Sequence, residues 1–183
     1  MAYVNDLPCV SAGPDIGDPT WKRPALWRAA NAALDYLIDR HADSLGPVRS
    51  VAQELRDGLL CLFPTLDSLC ERTCPECQTP CCRVADARFD LRDLIFIHLV
   101  GIAVPPGQPR SDGNSVCRYL GPHGCLLPRL SRPWICTWYL CPQQKRLFVQ
   151  SDPYRFAQFK ASIGRIKLCR KQLEDDFIYV VGA

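Results

Sequence analysis

The stretch Cys74-Pro75-Glu76-Cys77-Gln78-Thr79-Pro80-Cys81-Cys82 places four thiols within nine residues. Four further cysteines follow it, so that eight of the twelve cysteines lie between residues 74 and 141. Two cysteines separated by two residues can bind one tetrahedral metal ion, because the turn between them brings both sulfurs to about 2.3 Å from a zinc ion. Cys74 and Cys77 have this spacing, and Pro75 stiffens the turn. The density of thiols therefore predicts a metal site.

We take all eight clustered cysteines as candidate metal ligands. They are Cys74, Cys77, Cys81, Cys82, Cys117, Cys125, Cys136 and Cys141. Eight thiolates are enough for two four-coordinate sites. Because adjacent side chains diverge, Cys81 and Cys82 are not expected to bind one ion together. The sequence predicts two nearby centres, or one centre and a spare thiol, with disulfides or buried thiols as the alternative.

The identity of the metal stays open, because thiolates suit zinc and iron–sulfur clusters alike. A closed all-cysteine zinc site is structural, whereas an iron–sulfur cluster supports electron transfer, redox sensing or catalysis. The first hypothesis is a metal-binding protein of undefined role that holds zinc or iron, including iron as an iron–sulfur cluster. The alternatives are an iron–sulfur-dependent enzyme or its maturation partner, and a zinc module that binds nucleic acid or protein.

The cysteine pattern resembles a family of cysteine-rich proteins that is named for a CxxCxxCC motif and described as zinc- or iron-chelating domains. The resemblance rests on Cys74-Pro-Glu-Cys77 with Cys81-Cys82, then Cys117-Arg-Tyr-Leu before Gly124-Cys125, then Arg132-Pro-Trp-Ile-Cys136 and a last Cys141. It covers about the middle third of the chain. Three residues separate Cys77 from Cys81, where the motif has two. A similar domain occurs in flagellin lysine N-methylases. The resemblance implies that the cysteines bind metal, and it does not imply a particular reaction.

Composition describes an ordinary globular protein of 183 residues, with 48% hydrophobic and 22% charged residues. The formal net charge of +3 is too small to predict a nucleic-acid or membrane-surface partner. The N-terminus has no basic region followed by an apolar run, and no apolar stretch reaches the roughly 18 residues of a membrane span. We therefore expect a cytoplasmic protein, in which clustered cysteines more often bind metal or act catalytically than form disulfides.

The predicted fold is mainly α-helical with a small β-hairpin, in a compact domain that metal stabilises. Residues 1–23 are expected to form an irregular N-terminal arm and residues 24–183 a single domain. Within that domain the sequence predicts a helical support (24–70), a cysteine-rich metal-binding core (71–142) and a C-terminal helix (154–177).

The finer boundaries follow from apolar periodicity and from the helix-breaking residues. Helices are predicted at 24–40, 48–61, 65–71, 90–101 and 130–140, with Pro64 interrupting the chain between the second and the third. The hairpin is predicted from residues 116–120 and 125–127, which flank the turn 121–124.

Four cysteines lie outside the pattern, and burial in the core is their default interpretation. They are Cys9, Cys61, Cys70 and Cys169. Cys70 has a second interpretation, because the spacing Cys70-x3-Cys74-x2-Cys77 is that of the radical S-adenosylmethionine motif. That chemistry goes with a partial βα barrel, which the pattern of the remaining chain does not predict. Cys74 and Cys77 also have the spacing of a thioredoxin-type redox pair, but Pro80 hinders the helix that this motif needs.

Histidines and arginines add few further candidates. His98 lies on the apolar face of its predicted helix and is expected to be a hydrogen-bonded core residue. His123 is expected in a solvent-exposed turn, with replacement of a cysteine ligand as the alternative. Arg118, Arg129 and Arg132 either offset thiolate charge near the site or lie on the surface.

Overall fold

The computed structural model describes residues 20–75, 77–110, 116–122 and 124–183. Within these ranges short 3-10 turns lie at Thr20–Lys22 and Arg129–Ser131, and the remaining elements are α1 (Pro24–Arg40), α2 (Gly46–Thr73), α3 (Cys81–Val84), α4 (Leu91–Leu99), β1 (Leu120–Gly121), β2 (Gly124–Cys125), α5 (Trp134–Trp138), α6 (Pro142–Ser151) and α7 (Pro153–Gly182). The two strands pair antiparallel, with Leu120 opposite Cys125. The prediction of a mainly helical fold with a small hairpin is confirmed. Most of the predicted N-terminal arm, including Cys9, lies outside the described residues.

The core is built by the two long helices α2 and α7 together with α4. Apolar residues recur along α2 at three- and four-residue steps and are buried as one stripe: Leu55, Leu59, Leu62, Leu66 and Leu69. Helix α7 buries Phe159, Ile166, Leu173 and Phe177. Helix α4 is apolar on nearly all sides, because it lies between α1, α2 and α7. This scaffold supports the cysteine-bearing segments, which begin where α2 ends.

Helix α4 begins as its sequence predicts, with a reciprocal cap. Asp90 accepts a hydrogen bond from the backbone nitrogen of Asp93, and the Asp93 side chain accepts one from the Asp90 nitrogen. His98 near the other end is the hydrogen-bonded core residue that was expected. Its side chain is 5% exposed, and its ring nitrogens lie 2.7 Å from Asp35 Oδ1 and 2.8 Å from Asn31 Oδ1.

The predicted interruption at Pro64 is wrong, because α2 runs without a break from Gly46 to Thr73. Proline removes the N–H that would bond the carbonyl of Leu60. Leu60 is 46% exposed and Pro64 is also exposed, so that carbonyl lies on the solvent side of the helix. The neighbours Leu62, Phe63 and Leu66 are buried, and their packing holds the helix together across the proline.

Several boundaries in the second half of the chain also differ from prediction. The strands have only two residues each, so Cys117 lies in the loop before β1 and not on a strand. The helix expected at 130–140 is a 3-10 turn and the short α5, because Pro133 separates them. Helix α6 was not predicted, and α7 extends to Gly182. The described residues contain only this two-stranded sheet, so they hold no βα barrel. None of their helices is long and apolar enough to cross a membrane.

Candidate metal centre

The eight predicted ligands lie on loops, helix ends and short elements between α2 and α6. In chain order they are placed at the end of α2 (Cys74), in the following loop (Cys77), at the start of α3 (Cys81 and Cys82), before β1 (Cys117), on β2 (Cys125), in α5 (Cys136) and directly before α6 (Cys141). All eleven cysteines of the described residues are free thiols. The fold therefore leaves every described predicted ligand available for metal.

The thiols that act electrostatically on one another fall into two adjacent groups, which are linked by interactions of Cys81. We call Cys70, Cys74, Cys77, Cys81 and Cys141 the first thiol group. Burial, followed by the charges of Cys70 and Cys81, raises the pKa of Cys74 from 9.0 to about 11. Burial, followed by the charges of Cys141, Cys70 and Cys77, raises the pKa of Cys81 above its ordinary value. Sulfurs far apart in sequence thus lie within electrostatic reach of one another.

The second thiol group consists of Cys82, Cys117, Cys125 and Cys136. Burial, followed by the charges of Cys81, Cys117 and Cys125, raises the pKa of Cys82 to about 11. The pKa of Cys136 is raised to about 12 by burial, followed by the charges of Cys125, Cys82 and Cys117. Cys136 still shows part of its surface to solvent, so the second group lies near the surface. The backbone nitrogen of Cys117 donates to the carbonyl of Cys82 over 3.1 Å, which ties the loop before β1 to α3.

The neighbours Cys81 and Cys82 join the two groups. Cys81 interacts with thiols of the first group, and Cys82 interacts most strongly with Cys81 and then with Cys117 and Cys125 of the second group. The charge of Cys81 also acts on Cys82 and Cys136, so the groups are adjacent. Because consecutive side chains of a helix point about 100° apart, α3 presents one sulfur to each group.

Gln144 is a buried contact residue of the first group that sequence reasoning missed. Its Nε2 lies 3.5 Å from Cys70 Sγ, 3.1 Å from Thr73 Oγ1 and 3.8 Å from Cys74 Sγ. Its Oε1 accepts from the Cys141 backbone nitrogen, and its own backbone nitrogen is 3.5 Å from Cys141 Sγ. Cys141-Pro142-Gln143-Gln144 follows the capping-box pattern with proline in the first turn, and this was the available signal.

An arginine lies near each thiol group. Arg129 pairs with Asp67, lies over the Phe63 ring and donates from Nη2 to Cys70 Sγ over 3.5 Å. The charge of Arg132 lowers the pKa of Cys82, against the larger effect of burial. These two contacts favour the first interpretation of Arg129 and Arg132. Arg118 differs, because its guanidinium packs against Gly107. The two are so close that a Cβ atom added at residue 107 would lie 2.5 Å from Arg118 Nη1.

A buried ion pair holds α5, and with it Cys136, against the scaffold. Asp93 on α4 accepts from the backbone nitrogen of Trp134 over 3.1 Å and from Arg170 Nη1 over 2.8 Å. The Arg170 guanidinium also lies 4.9 Å above the Trp134 ring. Burial raises the pKa of Asp93 to about 7, against the opposing effect of Arg170. The scaffold thereby fixes the first residue of the helix that carries Cys136.

Among the residues that the structure describes, two buried side-chain donors have no acceptor. They are Nε of Arg110 and Nε1 of Trp138. Arg110 is 7% exposed and donates from Nη2 to the carbonyl of Cys82 over 3.2 Å. Trp138 lies two residues after Cys136 on α5. Buried N–H groups normally have an acceptor, so each of these two atoms could donate to a bound ligand or a water molecule.

The described residues contain no group of three or more histidine, cysteine, aspartate or glutamate side chains that is arranged to hold a metal ion. The sulfurs of each thiol group would therefore have to rotate toward a common point to reach metal–sulfur distances of about 2.3 Å. His123, the alternative ligand, lies outside the described residues. Of the cysteines expected in the core, Cys169 is half-buried with Sγ 3.7 Å from the Val51 carbonyl. That expectation is wrong for Cys61, which is exposed on α2.

Comparisons with family models, with curated proteins and with solved structures find no match to this chain. The candidate site therefore rests on the arrangement of its own residues.

Proposed function

We propose that this chain is a metal-binding protein of the CxxCxxCC type with two thiolate centres. Cys74, Cys77, Cys81 and Cys141 are the candidate ligands of the first centre, and the second thiol group supplies those of the other. The observation that carries the proposal is that cysteines from separate chain segments come together. Gln144 contacts the sulfurs of Cys70, Cys74 and Cys141, and the Cys117 nitrogen donates to the Cys82 carbonyl. Burial for packing alone gives no reason for thiols to gather around one another.

The electrostatics of the two groups support a cation at each. Raised pKa values keep the Cys74, Cys82 and Cys136 thiols protonated at neutral pH when no metal is bound. A divalent cation replaces those protons and removes the repulsion between neighbouring thiolates. The surrounding groups also suit negatively charged thiolates. The Arg129 guanidinium and the Gln144 amide nitrogen donate hydrogen bonds to Cys70 Sγ and cannot accept them.

Zinc and iron both fit such a donor set. Zinc held by four thiolates would tie the loops of residues 74–141 to the helical scaffold as a structural centre. An iron–sulfur cluster held by the same thiols would instead support electron transfer. In either case the reducing cytoplasm, where we place the protein, keeps the thiols available.

The deciding experiment is elemental analysis with an absorption spectrum on protein purified without oxygen and without an affinity metal. We expect about two zinc ions per chain without colour, or iron with acid-labile sulfide and broad visible absorption. The proposal is overturned if the protein is folded, contains no metal and binds no added zinc or iron. Disulfides or packing would then have to account for the cysteines.

A further inference from the structure

Cys70 lies outside the cysteine pattern but inside the first thiol group. It sits one helical turn before Cys74, in the last turn and a half of α2, so both side chains lie on one face of the helix. Residues four apart on a helix are neighbours, and Gln144 Nε2 contacts both sulfurs. Cys61, also on α2, shares no such surroundings and is exposed.

Two nitrogens donate to the sulfur of Cys70. Arg129 Nη2 and Gln144 Nε2 each lie 3.5 Å from Cys70 Sγ. Both groups are donors without acceptor capacity, so the sulfur must accept from both. The Arg129 side chain is 10% exposed and Gln144 is 5% exposed, so these donors are largely shielded from water. A cysteine that only fills space in a core needs no such donors.

Gln144 also gathers the other sulfurs of the group around itself. Its side chain reaches Cys70 and Cys74 at the end of α2, and its backbone nitrogen reaches Cys141 before α6. Three sulfurs, two at the end of α2 and one directly before α6, therefore contact one buried residue. This leaves one position of a tetrahedral ion for Cys77 or Cys81, which belong to the loop and helix that follow.

We propose that Cys70 is a metal ligand of the first centre, where it binds together with Cys74 and Cys141. The inference rests on the proposed function and extends it, because the first group then offers five thiolates to an ion that takes four. One of Cys77 and Cys81 completes the site, and the other is a spare thiol beside it. The class of ligand is a thiophilic divalent cation such as zinc.

The test is alkylation of the full chain by iodoacetamide, with zinc alone as the probe and mass spectrometry as the readout. Zinc-loaded protein is compared with protein treated with a chelator. We expect Cys70 to be protected by zinc and to react after chelation, as Cys74 does, whereas the exposed Cys61 reacts in both states. If zinc protects Cys74 but leaves Cys70 as reactive as in the chelated protein, this inference is wrong and the proposed function stands. If zinc protects none of the clustered cysteines, the proposed function itself fails.

A pair of variants provides a second readout. Cys70→Ser should lower the affinity for one of the two zinc ions by at least about tenfold in a chelator competition, the lower end of what a lost supporting contact costs. Cys61→Ser, on the same helix, should release both ions at the wild-type chelator concentration. If the Cys70→Ser protein also releases both ions at the wild-type chelator concentration, Cys70 is not a ligand. Circular dichroism of each zinc-loaded variant shows whether α2 is intact.

Discussion

Arg170 on α7 donates from Nη1 to Asp93 Oδ1 on α4 over 2.8 Å, and both side chains are almost completely buried, at 5% and 4% exposure. The same carboxylate accepts the first backbone N–H of α5, which carries Cys136. The pair therefore links the helical scaffold to the helix that carries Cys136 of the second thiol group.

Removing one partner of this pair should destabilise the protein strongly. Above pH 7, where Asp93 is ionised, we expect Arg170→Met to lower the free energy of unfolding by about 3–5 kcal/mol, because Asp93 then lacks its buried counter-charge. Urea unfolding followed by circular dichroism measures the change. Lys171→Met is the matched control, since Lys171 pairs with Asp175 at 63% and 54% exposure and should cost less than about 1 kcal/mol. Equal losses in the two variants would contradict the importance of the buried pair.

Asp93 should also make stability depend on pH. Burial raises its pKa from 3.8 to about 7 in the folded protein, so the folded state binds the proton more tightly than the unfolded state. Its contribution to stability is complete below pH 3.8 and is lost as the pH rises through 7. Relative to Asp93→Asn, the wild type should become less stable between pH 5 and 7.5. Parallel curves for the two proteins would show that Asp93 does not titrate in this range.

Gln144 should act on one centre only. Gln144→Glu keeps the shape of the side chain, but it replaces the donating amide near Cys70 and Cys74 with a negative oxygen. We expect the affinity for one zinc ion to fall about 10–100-fold, as is typical when a supporting contact is lost. Gln143→Glu adds the same charge at the exposed neighbouring position and should leave both affinities unchanged. If both variants weaken binding alike, the effect is one of net charge.

Metal binding should release protons. Because the thiols of Cys74, Cys82 and Cys136 have pKa values of about 11 to 12, they are protonated at pH 7 without metal. Each zinc ion bound by four thiolates should then release about four protons near pH 7. Isothermal titration calorimetry in buffers of different ionisation enthalpy measures this number. A value near zero would mean that thiolates do not bind the ion.

Pro64 should lower the stability of α2, because it removes one backbone hydrogen bond although the helix continues across it. Pro64→Ala restores a backbone N–H for the Leu60 carbonyl and should stabilise the protein by about 1 kcal/mol or more. Pro47→Ala is the control, because Pro47 lies in the first turn of α2, where the missing N–H has no partner to lose. Thermal unfolding of both variants measures the difference. A destabilised Pro64→Ala protein would contradict this account of α2.

The helices that the sequence predicts best are those with an apolar stripe and a clear beginning. Helix α1 matches its prediction from Pro24 to Arg40, and α4 begins at the acidic cap that its sequence indicates. The prediction at Pro64 is wrong because local propensity counts the lost hydrogen bond but not the burial of Leu62, Phe63 and Leu66 around it. Helix α6 was missed because its sequence is mostly polar and only its cap, Cys141 with Gln144, marks it.

The candidate site divides in the same way. By itself the sequence identified the candidate ligands, because eight clustered thiols at chelating spacing are a local property of the chain. Only the tertiary structure decided that Cys70 and Cys74 lie near Cys141, and that Gln144 and Arg170 support the two groups. The physical reason is that those contacts join residues some 70 to 80 positions apart. They depend on how α2, α4, α6 and α7 pack, which no spacing along the chain encodes.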